Sequence, residues 1–342
     1  MPTIVGRRSS RVTSTPIAIV GAGLAGIACA RRLQCAGLPV RLFDKGSAPG
    51  GRIATRRRED SSFDHGAQYW TVREPAFEAA VEDAARQGCA ERWTPRWPGG
   101  EQETRTLWVG EPAMAAMPAA LAAGLELALR CRITSLEREG AAWRLADDQG
   151  GSHGPFAFVV LALPAPQAGV LAAAATPAAA RVAAVPMAPC WAAMLAFESP
   201  LALPIDAEWR EDPVLPWVAR NSAKPGRRGL DAWVLHANAE WSRGRLEASP
   251  AAVQAELVQR FEQRAGRPLP PLAHASVHRW RYARVEAPLG EPWLADWEAG
   301  VAFCGDWCLD ARVEAAFLSG HALGEALTAR FARIRPRSRK RD

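Results

Sequence analysis

The sequence predicts an α/β protein, a nucleotide-binding domain with a second, α+β domain inserted into it. Three observations carry this. The stretch "IAIVGAGLAG" (17–26) opens a strand–helix–strand unit of about thirty residues. A second apolar strand and helix, from "GVAFCGDWC" to residue 333, close the chain. Between them lie longer strand-like runs separated by Pro- and Gly-rich loops, a different texture from either end. The nucleotide domain is therefore discontinuous, over 16–75, 126–170 and 296–332, and 76–125 and 171–295 form an inserted, mixed-sheet substrate domain. Residues 1–15 are expected to be a disordered leader and 333–342 a basic tail.

Each element has a local reason. Residues 16–20 are continuously apolar, as a strand buried on both faces requires, and 24–36 carry Leu24, Ile27, Ala28 and Leu33 at helical spacing. "GLPVRLFDK" (37–45) supplies the second strand, ending in Asp44. Residues 76–86 and 112–122 read as helices, and "EREG" marks a hairpin turn between two strands. "FAFVVLALPAPQA" is an apolar strand stopped by Pro164 and Pro166, and the alanine-rich 167–185 reads as one helix. "CWAAMLAFE", "AWVLHANAE" and "SVHRWRYAR" are strands, whereas 250–266 is an amphipathic helix presenting Val253, Leu257 and Phe261. The last helix covers 312–333.

Composition removes several classes. Of 342 residues, 49% are hydrophobic and 23% charged, which is globular, and no apolar run reaches the ~18 residues of a membrane span. The net charge of +6 resides in the termini: without Arg7, Arg8, Arg11 and the block from Arg333 to Asp342, the body carries −2. A nucleic-acid role needs a basic face on the fold, so none is expected. "GRRSSR" and the apolar stretch after it imitate an export signal, but that stretch is the nucleotide-binding strand and turn, and cleavage after Ala30 would remove the nucleotide loop. The seven cysteines show no pairing framework, which suits a reducing compartment, and a cytoplasmic location is expected. The six histidines show no metal-ligand spacing, and no metal is expected.

The glycine loop has a defined physical task. Gly21 allows the tight turn, Gly23 lets the backbone approach a pyrophosphate, and Gly26 lets helix and strand pack closely. The amides near Leu24 and Ala25 then face phosphate charge, and Asp44 is placed for a ribose hydroxyl. Two further segments end strands in glycine-plus-polar loops, "GSAPGGR" with Gly51 and Arg52, and "FCGDW" with Gly305 and Asp306. A ligand longer than a mononucleotide, extended across the sheet, needs such loops. Asp306 is read as a partner of a ribityl chain or as a simple helix cap.

These motifs, with "FDHGAQYWTVR" (63–73), "WVGEPAM" (108–114), "CRI" (131–133), "ALPAPQA" (162–168), "WVARNSAKP" (217–225), "LHANAEWS" (235–242) and "HRWRYAR" (278–284), resemble the FAD-dependent, amine-oxidase-like flavoproteins. Within these the chain resembles the bacterial branch of the renalase family, from about Pro16 to Leu327. The resemblance implies an FAD oxidase that converts dihydropyridine isomers of NAD(P)H to NAD(P)+ and passes the electrons to O2, giving H2O2. It implies FAD contacts from Leu24, Ala25, Asp44, Lys45, Arg52, Gln68, Tyr69, Ile133, Asp306 and Val313. It also implies a substrate cavity faced by Tyr69, Trp70, Thr71, Val72, Arg73 and Trp191.

The residues bear on this reading. Only three lysines exist, Lys45, Lys224 and Lys340, and many amine oxidases of similar fold place a lysine near the flavin N5; here only Lys224 is available for that role. FAD is expected to be non-covalent, since no cysteine stands where some of those enzymes attach it. Hydride loss from a misreduced dihydropyridine restores aromaticity, so positioning suffices and no general base is needed. His236 and His278 read first as core histidines. Arg73 is read either as a ligand for a carboxamide or phosphate, or as the partner of an acid such as Glu74. An amine oxidase or desaturase acting on another small substrate is the alternative, and a flavin-binding interaction protein using its basic tails a third.

Overall fold

The computed structural model describes residues 15–100 and 106–334; most of the expected leader and basic tail therefore lie outside the described residues. The chain opens with β1 (Ile17–Val20), α1 (Leu24–Cys35) and β2 (Val40–Phe43). Two hairpins follow, β3 (Thr55–Arg58) with β4 (Ser61–Asp64), and β5 (Ala90–Trp93) with β6 (Leu107–Gly110), separated by α2 (Pro75–Arg86). Next come α3 (Ala116–Ala122), β7 (Leu127–Ala128), and the antiparallel β8 (Ile133–Glu139), β9 (Ala142–Asp147) and β10 (Ser152–Phe156). β11 (Phe158–Leu161), α4 (Ala165–Ala172) and α5 (Ala178–Ala183) lead into the inserted domain. That domain carries β12 (Met187–Phe197), β13 (Ala207–Trp209), β14 (Trp217–Arg220), β15 (Asp231–His236), α6 (Ala239–Gly244), α7 (Pro250–Ala265) and β16 (Leu272–Val285). β17 (Leu294–Asp296), β18 (Val301–Phe303) and α8 (Val313–Ile334) return to the nucleotide domain and complete it.

The nucleotide-domain sheet runs β17-β18-β11-β1-β2-β7 and is parallel except for the edge strand β17. Every residue of β1 and β11 is buried, because helices or sheet cover both faces. On one face Ile17, Ile19 and Val160 pack against Ile27 and Leu33 of α1 and Leu323 and Leu327 of α8. On the other, Ala18, Val20 and Leu161 meet α4, α5 and the small β8–β9–β10 sheet through Val182, Trp143 and Phe156. The fold is thus the α/β class the sequence predicts.

The inserted sheet, ordered β13-β14-β15-β12-β16, is antiparallel throughout, and the mixed sheet is the nucleotide-domain one. Along β15 and the 191–196 stretch of β12 the side chains alternate between the two faces, while the β12–β16 register slips between Ala188 and Cys190 and between Ala196 and Phe197. Trp191, Leu195, Trp233 and Leu235 face α7, whose Val253, Leu257 and Phe261 cover them. Met194, Ala196 and Val234 face the opposite way, against Phe63 of β4. The β3–β4 hairpin therefore packs on the inserted sheet, although its residues precede that domain in sequence.

Two helices differ from expectation for local reasons. α3 starts at Ala116 rather than 112, because the Met114 amide is claimed by Asp64 Oδ1 at 3.0 Å and the Ala115 amide by Thr55 Oγ1 at 3.3 Å. The 167–185 helix is two: Pro177 lacks an N–H, and Thr176 Oγ1 accepts from the Ala178 amide while donating to Asp296 at 2.6 Å. Among the described residues no helix is long and apolar enough to cross a membrane.

Candidate active site

The site lies at the seam where the loops after β1, β2 and β18 meet the face of the inserted sheet that points away from α7. On the nucleotide side Gly21 adopts φ 107°, and a Cβ there would meet Ala162 O at 2.4 Å. A Cβ on Gly26 would meet Gly21 O at 2.0 Å, so close packing of α1 on β1 excludes any side chain. Gly23 caps α1 without a side-chain acceptor, and no atom lies within 4 Å of where its Cβ would stand. Gly51, with φ 56°, faces it across this open space, at 3.4 Å from Gly23 Cα measured at its own missing Cβ. Uncapped amides near Leu24 and Ala25, a glycine on each side and no acid in the first turn form a cradle that suits a pyrophosphate. Asp44 ends β2 and accepts from the Ala22 and Gly46 amides, 2.7 Å each, which sets the turn that carries the exposed Lys45. Ile133 is buried beside Phe43 and Cys131.

The third loop is tied to the second. Arg52 donates to both oxygens of Asp306, at 2.5 and 2.8 Å, and to Ala283 O of β16 at 3.1 Å. Asp306 is thus the partner of a guanidinium, a contact not read from sequence. The Gly305 amide is held by Ser319 Oγ at 2.9 Å, and Val313 begins α8. Next to it Glu314, fully buried, accepts from the Arg73 and Glu74 amides at 2.7 and 2.8 Å and pairs with Arg312.

The loop 64–73 lies against the inserted sheet. Gln68 Nε2 donates to Asp64 O and to Gly66 O, and its Oε1 accepts from Lys224 Nζ at 3.3 Å. Lys224 and Arg227 share the buried Asp64, at 3.4 and 2.7 Å. Burial alone would push the Asp64 pKa up; Lys224, Arg227 and the Thr55 hydroxyl overcome this and bring it to about 2. Burial brings the Lys224 pKa down to about 8 despite Asp64. Close by, the His65 ring stacks on Trp280 at 5.2 Å and meets His278 edge-on at 4.9 Å, while His236 Nε2 is 3.5 Å from Gln68 Nε2. Burial depresses the pKa of His65, His236 and His278 to about 4 each, so all three are neutral at pH 7.

The expected substrate-facing residues separate. Tyr69 sits with Trp93 and Trp217, centroids 6.5 and 5.8 Å away, and the indole N–H groups of Trp93 and Trp217 are buried without a partner among the described residues. Trp70 is buried and pairs its backbone with Trp108, and its indole N–H also has no partner among the described residues. Thr71 and Val72 are half-buried, and Arg73 is exposed with no ion pair to Glu74 among the described residues. Trp191 is corrected: it faces α7, donates to Arg245 O at 3.1 Å, and lies on the opposite side of the sheet from His236 and His278. Strand alternation causes this, since its neighbour Ala192 holds the His236 and His278 register. Asp64, His65, Arg227 and Trp280 were not singled out from sequence, although three of them lie inside the quoted blocks.

The open cradle at Gly23 and Gly51 and the orphaned indoles fit a dinucleotide extended across the seam. Comparison with known proteins gives the same direction. Residues 19–84 match the NAD(P)-binding Rossmann-like domain, and residues 98–323 match the flavin containing amine oxidoreductase family. A 51-residue stretch, 15% of this chain and 10% of the relative, is 43% identical to a lycopene-forming phytoene desaturase of Pantoea ananas. The fold is similar to that of a protein from Exiguobacterium sp. 255-15 named as a protoporphyrinogen oxidase (TM-score 0.73, 14% identity, 93% of this chain and 99% of that one). It is also similar to a putrescine oxidase (TM-score 0.64, 12% identity, 92% and 99%). With its second family match spanning most of its length, the chain belongs to the flavin-containing amine oxidoreductases and is an FAD-dependent, amine-oxidase-like oxidoreductase.

Proposed function

We propose that this protein is a renalase-type oxidase. It takes the 2- or 6-dihydropyridine isomers of dihydro-NAD(P) to NAD(P)+ and gives the electrons to O2, with H2O2 as product and FAD held non-covalently. One observation carries the reading. Each of the six buried carboxylates among the described residues, Asp64, Asp206, Asp212, Asp231, Asp306 and Glu314, is already paired with an arginine. None is left to receive a substrate ammonium, and a buried cation without a counter-charge is costly. The seam carries Lys224 and Arg227 against the one Asp64, and Arg56 stands 3.5 Å from His278. A neutral dihydropyridine ring bearing anionic phosphates suits these charges better than a protonated amine does.

The chain's task is positioning. The flavin, when bound, supplies a two-electron acceptor that oxygen can reoxidise. Gly23, Leu24, Ala25 and Asp44 would hold its dinucleotide end, and the Arg52–Asp306 pair fixes the far loop. Gln68, immobilised from both ends of its amide, and the neutral rings of His65, His236 and His278 provide a wall that orients a planar ring without charging it. The donor carbon loses hydride and no proton, so the absence of a free base costs nothing. A second reading, an amine oxidase or desaturase, rests on Lys224, which touches Gln68.

The test is anaerobic. The yellow protein is mixed with borohydride-reduced NAD+, which contains the ring isomers, and in parallel with NADH, benzylamine and putrescine. Bleaching of the flavin band by the isomer mixture alone, reversed by air with H2O2 released, is the expected result. Bleaching by an amine, or by nothing offered, would overturn the proposal.

A further inference from the structure

On the small sheet that covers the nucleotide domain, three unlike side chains converge. Cys131 precedes β8, Asp147 ends β9 and His153 lies in β10, and the register Ile133↔Asp147 and His153↔Leu145 brings them to one edge. Asp147 Oδ1 is occupied by the Gln149 and Gly151 amides at 2.9 and 2.7 Å, which turns Oδ2 inward. Oδ2 then lies 2.9 Å from His153 Nε2 and 3.6 Å from Cys131 Sγ, and Sγ lies 3.6 Å from the same Nε2. The His153 and Asp147 side chains are 18% and 10% exposed, Cys131 is buried, and the His153 ring packs on Phe43 at 5.0 Å.

Without an ion the cluster is closed by hydrogen bonds: Asp147 Oδ2 accepts from the Cys131 thiol and, in the Nε2–H tautomer, from His153. An imidazole nitrogen offers one proton or one lone pair, so a relay through His153 would use its two nitrogens on different partners. Here a single nitrogen faces both the carboxylate oxygen and the sulfur. Sulfur, nitrogen and oxygen within 3.6 Å of one another also have the spacing of three ligands on one ion. Zinc bonds of about 2.3 Å to sulfur and about 2.0–2.1 Å to nitrogen and oxygen set the edges of a tetrahedron at about 3.5 Å for S···N and S···O, and about 3.3 Å for N···O. The observed 3.6, 3.6 and 2.9 Å need only a slight opening of the His–Asp contact.

We infer that Cys131, Asp147 and His153 form a Zn2+ site, with a water completing the tetrahedron. The mixed S, N and O set suits a borderline-soft ion. On binding, the Cys131 thiol loses its proton to solvent and the thiolate and carboxylate together neutralise the ion, so affinity rises with pH. The sequence reading missed the site because it looked for repeated histidines, whereas strand register assembles this one from three positions spread over 22 residues. The Cys131 amide donates to Asp44 O at 2.8 Å, so the ion would brace the turn that carries Asp44.

The full-length, tag-free chain with its flavin, stripped by a chelator and kept reduced, is titrated with Zn2+ by calorimetry and with Co2+ by difference spectroscopy, which cancels the flavin absorption. The expected result is one equivalent bound, a sulfur-to-cobalt charge-transfer band, and tetrahedral bands to the red of the flavin. Cys131→Ser should abolish the charge-transfer band, and His153→Gln should weaken Zn2+ at least tenfold. Zn2+ should raise the Tm of the wild type and not that of either variant, each first checked for a native circular dichroism spectrum. Binding without a charge-transfer band, a band that survives Cys131→Ser, or no binding at one equivalent would overturn the site. None of these readouts depends on turnover, so the oxidase reading stands or falls separately.

Discussion

Asp64 is one carboxylate serving two buried cations, and that imbalance makes it the most sensitive residue of the seam. Asp64→Asn leaves Lys224 and Arg227 buried without a counter-charge, and removing one member of such a group costs about 3–5 kcal/mol. Lys224→Met should cost much less, because a thioether of similar length fills the space beside Trp93 and Arg227 keeps its partner. Chemical denaturation of both variants checks the order; equal losses would mean that packing, not charge, holds the cluster. The histidines fix the acid limb. Their folded pKa, about 4, lies below the 6.5 of the free side chain, so the unfolded chain binds more protons than the folded one across that interval. Stability should therefore fall as pH drops from about 6.5 to about 4. Asp64, depressed from 3.8 to about 2, continues the loss below that. A Tm that stays level from pH 7 to pH 4.5 would contradict the burial of these rings.

At the scale of elements, α1 and α8 approach closely because two glycines of α8 allow it. A Cβ on Gly320 would meet Ala25 O at 1.9 Å, and one on Gly324 would meet Arg32 Cβ at 2.7 Å. Gly320→Ala pushes α8 off the helix whose first turn forms the phosphate cradle. It should cost about 1–3 kcal/mol and release flavin, read as a fall in the flavin-to-protein absorbance ratio. β1, α1, β2 and the long strands of the inserted sheet were legible because buried strands and amphipathic helices write their period into the sequence. The facing of β12 was not, since a one-residue shift in register exchanges its two faces. Trp191 shows the consequence: Trp191→Ala should lose about 3–5 kcal/mol of stability through the α7 core while leaving flavin reduction by substrate near the wild-type rate. The late start of α3 was equally hidden, because the groups that claim its amides, Asp64 and Thr55, are about 50–60 residues away.

At the scale of the molecule, the glycine motif, the loop with Arg52 and the loop with Asp306 were each visible in the sequence, but their closure was not. Arg52 and Asp306 are 254 positions apart, and no local pattern reports a contact at that separation. The guanidinium binds both Asp306 oxygens and the Ala283 carbonyl, so one side chain joins the β2 loop, the segment before α8 and the inserted sheet. A planar fork can serve these three acceptors together; an ammonium on a flexible stem cannot reproduce that geometry. Arg52→Lys should therefore loosen the seam while preserving the charge, weakening flavin retention about tenfold, which corresponds to about 1.4 kcal/mol. Asp306→Asn should weaken it by a comparable factor. If the two residues act through each other, the double variant should lose less than the sum of the single losses, with a coupling of about 0.5–3 kcal/mol. Equilibrium flavin binding to the four proteins closes this cycle. Strict additivity would mean that each residue holds the cofactor independently, and the bond between them would then not be what aligns the two loops.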